Sequence, residues 1–83
     1  MKLLAFSVRD EKVEAFLPPF FCRSKGEAIR SFTQAVDNPE HAFAKNLSDF
    51  VLYEIGAFDD VGGTFSFQEP SRVLSGFEAK TPQ

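Results

Sequence analysis

Cysteine, histidine and long apolar segments are scarce in this chain of 83 residues. No disulfide can form within the chain, because Cys22 is its single cysteine. Cys22 and His41 together cannot supply the four ligands of a classical zinc site. No apolar run approaches the roughly 20 residues of a membrane-spanning helix, and the charged segment Arg9–Lys12 interrupts the first apolar stretch too early for a signal peptide. We therefore expect a soluble, cytoplasmic protein from a reducing compartment, with no membrane association.

Basic charge is also in short supply. The chain has 9 Lys and Arg against 12 Asp and Glu, which gives a net charge of −3. Proteins that bind nucleic acid mainly by electrostatics carry a basic surface, so the charge disfavours that class without excluding a local basic patch. A chain of this length makes one domain that buries roughly 60–65% of its surface and is marginally stable. With disulfides and zinc excluded, self-association is the remaining means of stabilisation.

The first part of the chain predicts a β-hairpin. Lys2–Arg9 alternates between two faces, which is typical of a strand. The polar segment Asp10–Lys12 predicts a turn, and Val13–Leu17 can return as the second arm. Pro18–Pro19 ends any central pairing, because proline has no N–H to donate.

The middle of the chain predicts a helix. Ser24 and Glu27 have the spacing of a capping box, in which the hydroxyl accepts from the Glu27 amide and the carboxylate reaches back. An apolar stripe at helical spacing follows: Ala28, Ile29, Phe32, Ala35 and Val36. The helix should stop near Asp37, ahead of a proline. Asn38–Pro39 then predicts a fresh N-cap with proline in the first turn, which starts a short second helix through His41–Lys45.

A second hairpin is predicted after these helices. Phe50–Phe58 is expected to be the most buried strand, Gly62–Gly63 predicts a turn, and Thr64–Gln68 alternates again as the returning arm. Alternation assigns Val51, Tyr53, Ile55 and Ala57 to one face of the first arm, and Phe50, Leu52, Gly56 and Phe58 to the other. Beyond Pro70, residues 71–77 fit either a helical turn or an edge strand.

The order of these elements, β-β-α-β-β, predicts a small two-layer α+β domain: a mostly antiparallel sheet with one main helix packed on a face. We expect this domain to span residues 1–77 and a flexible polar tail to span residues 78–83. The predicted core consists of Leu4, Phe6, Val8, Phe16, Ile29, Phe32, Val36, Leu52, Ile55, Phe65 and Phe67.

The chain has more aromatic rings than this core can hold. Of its 11 phenylalanines, six are then surplus: Phe20, Phe21, Phe43, Phe50, Phe58 and Phe77. Burying such a ring is worth roughly 1.5–3 kcal/mol, so leaving several in water forfeits an amount comparable to the stability of the domain. We therefore expect a homo-oligomer, at least a dimer, with two or more of these rings at the contact. The oligomer interface is assigned to Phe43, Phe50, Phe58 and Phe77.

Short motifs spread over most of the chain point to a known family. They are Met1–Leu3, Ser7–Asp10, Pro19–Phe21, Gly26–Phe32, Asn38–Pro39, Phe43–Lys45, Asp49–Gly56 and Phe58–Asp59. In these motifs the chain resembles the small nonstructural protein of gokushovirus-type microviruses, which are phages with circular single-stranded DNA genomes. The resemblance implies a role in genome replication in the cytoplasm of an infected bacterium. Binding of the single-stranded genome, or steering of replication toward single-strand synthesis and packaging, are the roles that it implies.

A nucleic-acid site is predicted where the first helix begins. The basic residues Arg23, Lys25 and Arg30 cluster near the free N–H groups of the helix start, directly after Phe20 and Phe21. Rings beside cations suit single-stranded DNA, because bases stack and phosphates pair. The alternative is that the two rings belong to the core and the charges form a solvated helix face. Docking of a viral or host replication or packaging protein on a Phe-rich face is the other function that stays open.

Other candidates favour ordinary structural roles. Phe65 and Phe67 could form a second stacking platform, but a core face under a helix is the preferred interpretation. His41 has no nucleophile nearby and is expected at the surface. The helix start near Cys22 would lower its pKa, although a buried apolar role is preferred. Asp59–Asp60 beside a glycine pair is typical of a turn. No phosphate loop, metal signature or cofactor motif is present, so we expect a protein without enzymatic activity.

Overall fold

The computed structural model describes residues 2–80, which form a single curled antiparallel sheet covered on one face by a helix. The strands in this range are β1 (Lys2–Asp10), β2 (Ala15–Phe16), β3 (Phe20–Cys22), β4 (Phe50–Asp59) and β5 (Thr64–Ser75). β1 pairs with β4 on one side and with both β2 and β3 on the other, and β5 pairs with the far side of β4. The predicted α+β class is confirmed.

The main helix is α1 (Lys25–Asp37), and its bounds agree with the prediction. The Ser24 side chain accepts a hydrogen bond from the Glu27 amide at 3.2 Å, as a helix N-cap should. The apolar stripe of α1 packs on the sheet through Ala28, Phe32 and Val36, all of which are buried. Between the helix and the sheet these side chains contact five buried residues: Phe6, Val8, Cys22, Phe50 and Leu52. This contact is the core of the domain.

The short helix α2 (Ala42–Lys45) begins later than predicted. Its N-cap is His41, whose Nδ1 accepts a hydrogen bond from the Phe43 amide at 3.1 Å. Asn38 instead closes a turn of its own, in which its side-chain oxygen accepts from the Glu40 amide. The prediction of Asn38 as the cap of this helix is therefore wrong, because its side chain is used one turn earlier. A 3₁₀ turn (Leu47–Asp49) then leads into β4.

The β4–β5 hairpin turns at Asp59–Gly63, as predicted. The carboxylate of Asp59 accepts hydrogen bonds from the amides of Val61 and Gly62, which lowers the pKa of this carboxyl below its usual value. Gly63 has a φ of 69°, a left-handed conformation that glycine adopts without a steric cost. The second arm is longer than expected, since β5 continues through Pro70 to Ser75.

The C-terminal part of the described chain is a helical turn, α3 (Gly76–Lys80). Glu78 accepts hydrogen bonds from the Ser75 amide and from Arg72, and Lys80 lies 3.5 Å from the carboxylate of Asp37 on α1. Residues 78–80, assigned to the predicted tail, lie in this helical turn and make these contacts with the rest of the domain. The rest of that predicted tail, residues 81–83, lies outside the described residues.

Candidate functional site

The face of the sheet opposite α1 carries a cluster of aromatic side chains. Phe21 lies on β3, Phe58 on β4 and Phe65 on β5, and each ring contacts the other two. The ring centroids are 5.9 Å apart for Phe21 and Phe58, 6.0 Å for Phe21 and Phe65, and 5.0 Å for Phe58 and Phe65. With Phe67, which follows on the same face of β5, these residues form what we call the aromatic face.

The aromatic face is largely open to solvent. Phe67 is 94% exposed, Phe65 is 57% exposed and Phe21 is 41% exposed. The strand position opposite Phe67 is Gly56, which has no side chain to cover the ring. A Cβ atom at Gly56 would lie 2.5 Å from the backbone oxygen of Ser66, so the close approach of β4 and β5 requires glycine there. The glycine required at position 56 thus leaves the ring of Phe67 exposed on the side of β4.

A β-bulge decides which face Phe58 occupies. In the β1–β4 ladder Phe6 pairs with Glu54 and Ala5 pairs with Gly56, so Ile55 is an extra residue between them. This insertion reverses the alternation beyond it. Phe58 therefore lies on the open face, whereas strict alternation had assigned it to the same face as Leu52, and that prediction is wrong.

A second pair of rings, one on β2 and one on β4, extends the open face. Phe16 and Tyr53 meet edge to face with centroids 5.3 Å apart. The guanidinium of Arg9 lies 6.0 Å above the ring of Phe16, and Arg72 is the cross-strand partner of Tyr53. Arg9 therefore lies over a ring of this pair, whereas the guanidinium of Arg72 bonds to Glu78 on α3.

The two arginines beside these rings already have acidic partners. Arg9 is 2.6 Å from the carboxylate of Glu11, and Arg72 bonds to Glu78. The pKa of the Glu78 carboxyl is lowered, first by the Ser75 amide and then by Arg72. Both ion pairs are partly or largely exposed, and pairs of this kind contribute little to stability. An anionic ligand can therefore compete for either arginine at modest cost.

The residues predicted to bind nucleic acid are divided by the sheet. Phe20 faces α1, where its ring stacks 6.0 Å from that of Phe6, whereas Phe21 belongs to the aromatic face. The two neighbours on a strand point to opposite sides, so they cannot form one stacking surface. Arg23 follows Phe21 by two positions and is exposed, and Lys25 and Arg30 are exposed on α1.

The start of α1 is less open to anions than its sequence indicates. Ser24 already accepts from two amides there: its side chain from Glu27 at 3.2 Å and its carbonyl from Ala28 at 3.3 Å. The carboxylate of Glu27 is near the thiol of Cys22. Burial first, and then the charge and hydrogen bond of Glu27, raise the pKa of Cys22, so the expected lowering by the helix start is wrong. Its preferred role as a buried apolar residue agrees with its burial.

The residues assigned to an oligomer interface have different surroundings. Phe50 is 7% exposed and packs with Phe32 and Phe43 in a row of rings inside the core, at 4.6 Å from Phe43. Phe50 is thus a core residue rather than an interface residue. Phe43 is partly buried beside it, Phe58 belongs to the aromatic face, and Phe77 is 61% exposed on α3.

Three rings placed in the core by the sequence prediction are exposed instead: Phe16, Phe65 and Phe67. The helix layer covers only one face of the sheet, and these rings lie on the other. One signal could have found them. A two-layer domain leaves one sheet face open, so the chain's surplus rings had to include some on that face.

Alternative sites are weaker. A cleft of about 350 Å³ opens between α1 and the segment before β3, with Leu17, Phe20, Phe32 and Phe43 among its walls. Ser31 and His41 supply polar side chains to its lining. Among residues 2–80 no group of three or more His, Cys, Asp or Glu side chains could hold a metal ion. No helix in that same range is long and apolar enough to cross a bilayer.

These features define a small α+β domain with one covered and one open sheet face, the open one rich in aromatic rings. The family model described as Phage ORF5 protein matches residues 3–79, and the chain therefore belongs to this family of phage proteins. No curated protein and no solved structure matches the chain. The assignment to gokushovirus-type microviruses within the phages stays a prediction.

Proposed function

We propose that this phage protein binds single-stranded DNA across the open face of its sheet during genome replication in the bacterial cytoplasm, without catalysing a reaction. The observation that carries the proposal is the aromatic face: four neighbouring phenylalanines on the uncovered side of the sheet, three of them exposed and Phe58 partly buried between them. The site predicted at the start of α1 is replaced by this face, and Phe21 and Arg23 are the predicted residues that remain beside it.

Exposed rings on a sheet are suited to unpaired bases. Stacking of a base on an aromatic side chain is worth about 1–3 kcal/mol and tolerates any base. Phe65 and Phe67 are two residues apart on one strand, which separates them by about 7 Å. That distance leaves room for one base on each ring. A base pair in a duplex presents no free face, so this surface favours single strands.

Cations near the rings can pair with the phosphates. Arg9 lies over the ring of Phe16, Arg72 is the cross-strand partner of Tyr53, and Arg23 follows Phe21. If these three arginines each pair with a phosphate, the logarithm of the binding constant should fall with the logarithm of salt concentration with a slope of about −2. The net charge of −3 agrees with such a shallow slope, in which stacking supplies most of the affinity.

A titration of fluorescently labelled oligo-dT at low salt tests the proposal. We expect binding at micromolar protein, weakened about tenfold by Phe21→Ala, since one stacked base is lost. Phe77→Ala is the control, because its ring is also exposed but lies on α3, and it should bind as the wild type does. Absence of binding at micromolar protein, or an equal loss in both variants, would contradict the proposal.

Docking of a viral or host replication protein is the second candidate. The specific observation in its favour is that Glu11 and Glu78 already pair with Arg9 and Arg72, which leaves these arginines less available to phosphates. A pull-down from infected cells with and without nuclease separates the two functions. Partners that survive nuclease treatment and are lost in Phe21→Ala would favour docking, whereas partners that all require intact nucleic acid would favour DNA binding.

A further inference from the structure

The outer edge of β5 is a long unpaired strand. β5 is the last strand of the sheet order, and within residues 2–80 no strand pairs with its far side. All residues from Thr64 to Arg72 are exposed. An edge of this kind presents a row of free N–H and C=O groups that can pair with another strand. Proteins usually protect such an edge with charge, proline or a covering segment.

Protection is present on this edge except in one segment. Thr64–Gln68 has no charged residue, although a quarter of the chain is charged. Asp59–Asp60 precedes the segment across the turn, and Glu69–Pro70 follows it directly. Proline cannot donate a ladder hydrogen bond, so a strand added to the outer edge of β5 cannot pair regularly beyond Pro70. The open, neutral part of the edge is thus limited to five residues.

The segment is also symmetric about its centre. Ser66 has a phenylalanine on each side, and beyond these a polar residue, Thr64 or Gln68. An antiparallel pair of identical strands with Ser66 on the twofold axis would place Phe65 opposite Phe67 of the partner subunit. Both rings would lie on the same face, where aromatic cross-strand pairs stabilise sheets. In a chain of net charge −3, a neutral contact also avoids repulsion between the copies.

We propose that the Thr64–Gln68 edge is a homodimer interface at which two copies pair antiparallel with Ser66 on the twofold axis. The occupant of the edge is a second copy because the segment is complementary to itself in pattern and in charge. The pairing covers Phe67, which is 94% exposed in one chain. It also joins the two sheets, so that both aromatic faces lie on one side of a continuous surface. This interface does not depend on the proposed DNA binding.

Disulfide trapping tests both the contact and its register. Directly opposite residues of paired strands have Cα atoms about 4.5–5.5 Å apart, within the reach of a disulfide. Ser66→Cys should therefore give a covalent dimer under mild oxidation, at close to twice the 9.3 kDa chain mass. Thr64→Cys is the matched control, because the two copies of that residue would be four strand positions apart, about 13 Å, which is too far. The buried Cys22 should contribute no cross-link.

Sedimentation equilibrium without DNA gives the second readout. Wild type should dimerise, and Phe67→Glu should weaken dimerisation at least about tenfold, because it removes the aromatic pair with Phe65 of the partner subunit and brings the two new carboxylates near each other. The variant should still fold, since the ring is almost fully exposed. Val61→Glu, at an exposed turn position outside the segment, should leave dimerisation unchanged. A monomer at all concentrations, equal trapping of the two cysteine variants, or a dimer that neither variant traps would each overturn the proposal.

Discussion

Phe58 and Phe65 face each other across the β4–β5 hairpin, with ring centroids 5.0 Å apart. Phe58 is partly buried, whereas Phe65 is mostly exposed. We expect Phe58→Ala to lower the free energy of unfolding by about 1–2 kcal/mol and Phe65→Ala by less than about 1 kcal/mol, in proportion to the area each ring buries. Urea denaturation followed by circular dichroism measures both.

The double variant isolates the contact between these two rings. An edge-to-face or tilted aromatic pair contributes about 0.5–1.5 kcal/mol beyond its burial. The double variant should therefore lose less free energy of unfolding than the sum of the two single variants, by about that amount. Strict additivity would mean that the rings are neighbours without being energetically coupled. Phe77→Ala again serves as the comparison, since its ring lies on α3 and should show no coupling with Phe58.

Gly56 should tolerate no side chain. The Cβ of Gly56→Ala would lie 2.5 Å from the Ser66 carbonyl oxygen, a backbone atom that can move only with its strand. We expect the free energy of unfolding to fall by about 1–3 kcal/mol, as for other overpacked positions. Gly62→Ala is the control, because its Cβ would be 3.5 Å from the nearest atom, the Asp59 carboxylate, and should cost less than about 0.5 kcal/mol. Equal costs at the two glycines would contradict the assigned role of Gly56.

The thiol of Cys22 should make stability depend on pH in the alkaline range. Burial and the carboxylate of Glu27 raise its pKa above the ordinary value of 9.0 in the folded protein. The unfolded chain therefore loses this proton first as pH rises. The thiol's contribution is complete below about pH 9 and decreases as pH rises toward the folded-state pKa. The stability difference between wild type and Cys22→Ala should accordingly shrink above pH 9.

Glu27→Gln separates the two causes of this pKa shift. Glutamine keeps the shape of the side chain and suits this position of a capped helix, but removes the negative charge. We expect the pKa of Cys22 to fall partway toward its ordinary value, and alkylation of the thiol to become faster at a given pH. Thiolate absorbance measured through an alkaline titration follows the pKa directly. An unchanged titration curve would mean that burial alone sets the pKa.

Local sequence signals predicted where the helices, strands and turns lie, but not which face of the sheet each strand residue occupies. The Ser24 cap, the apolar stripe of α1 and the glycine turn at Gly62–Gly63 each depend on a few neighbouring residues, and the structure has all three where they were predicted. Alternation along β4 failed at Ile55, because a bulge is set by how two strands fit together. A single strand's sequence contains no such information.

The candidate site was only partly predictable for a related reason. A phenylalanine on a strand has the same pattern whether its face is covered or open, and Phe65 and Phe67 were assigned to the wrong one. The cover depends on where α1 packs, which is a property of the whole domain. Arg23 and Phe21 were chosen for their proximity in sequence, and only the alternation of β3 separates Phe21 from Phe20.

The position of β1 at the centre of the sheet has a consequence for synthesis. Asp10 pairs with Phe50, which is 40 positions later in the chain. At about 5–20 residues per second, a ribosome needs about 2–8 s to make the intervening segment. During that interval β1 can pair only with β2 and β3, and the edge that will hold β4 is open. The central pairing of the sheet is therefore a long-range contact that cannot form until β4 has been synthesised.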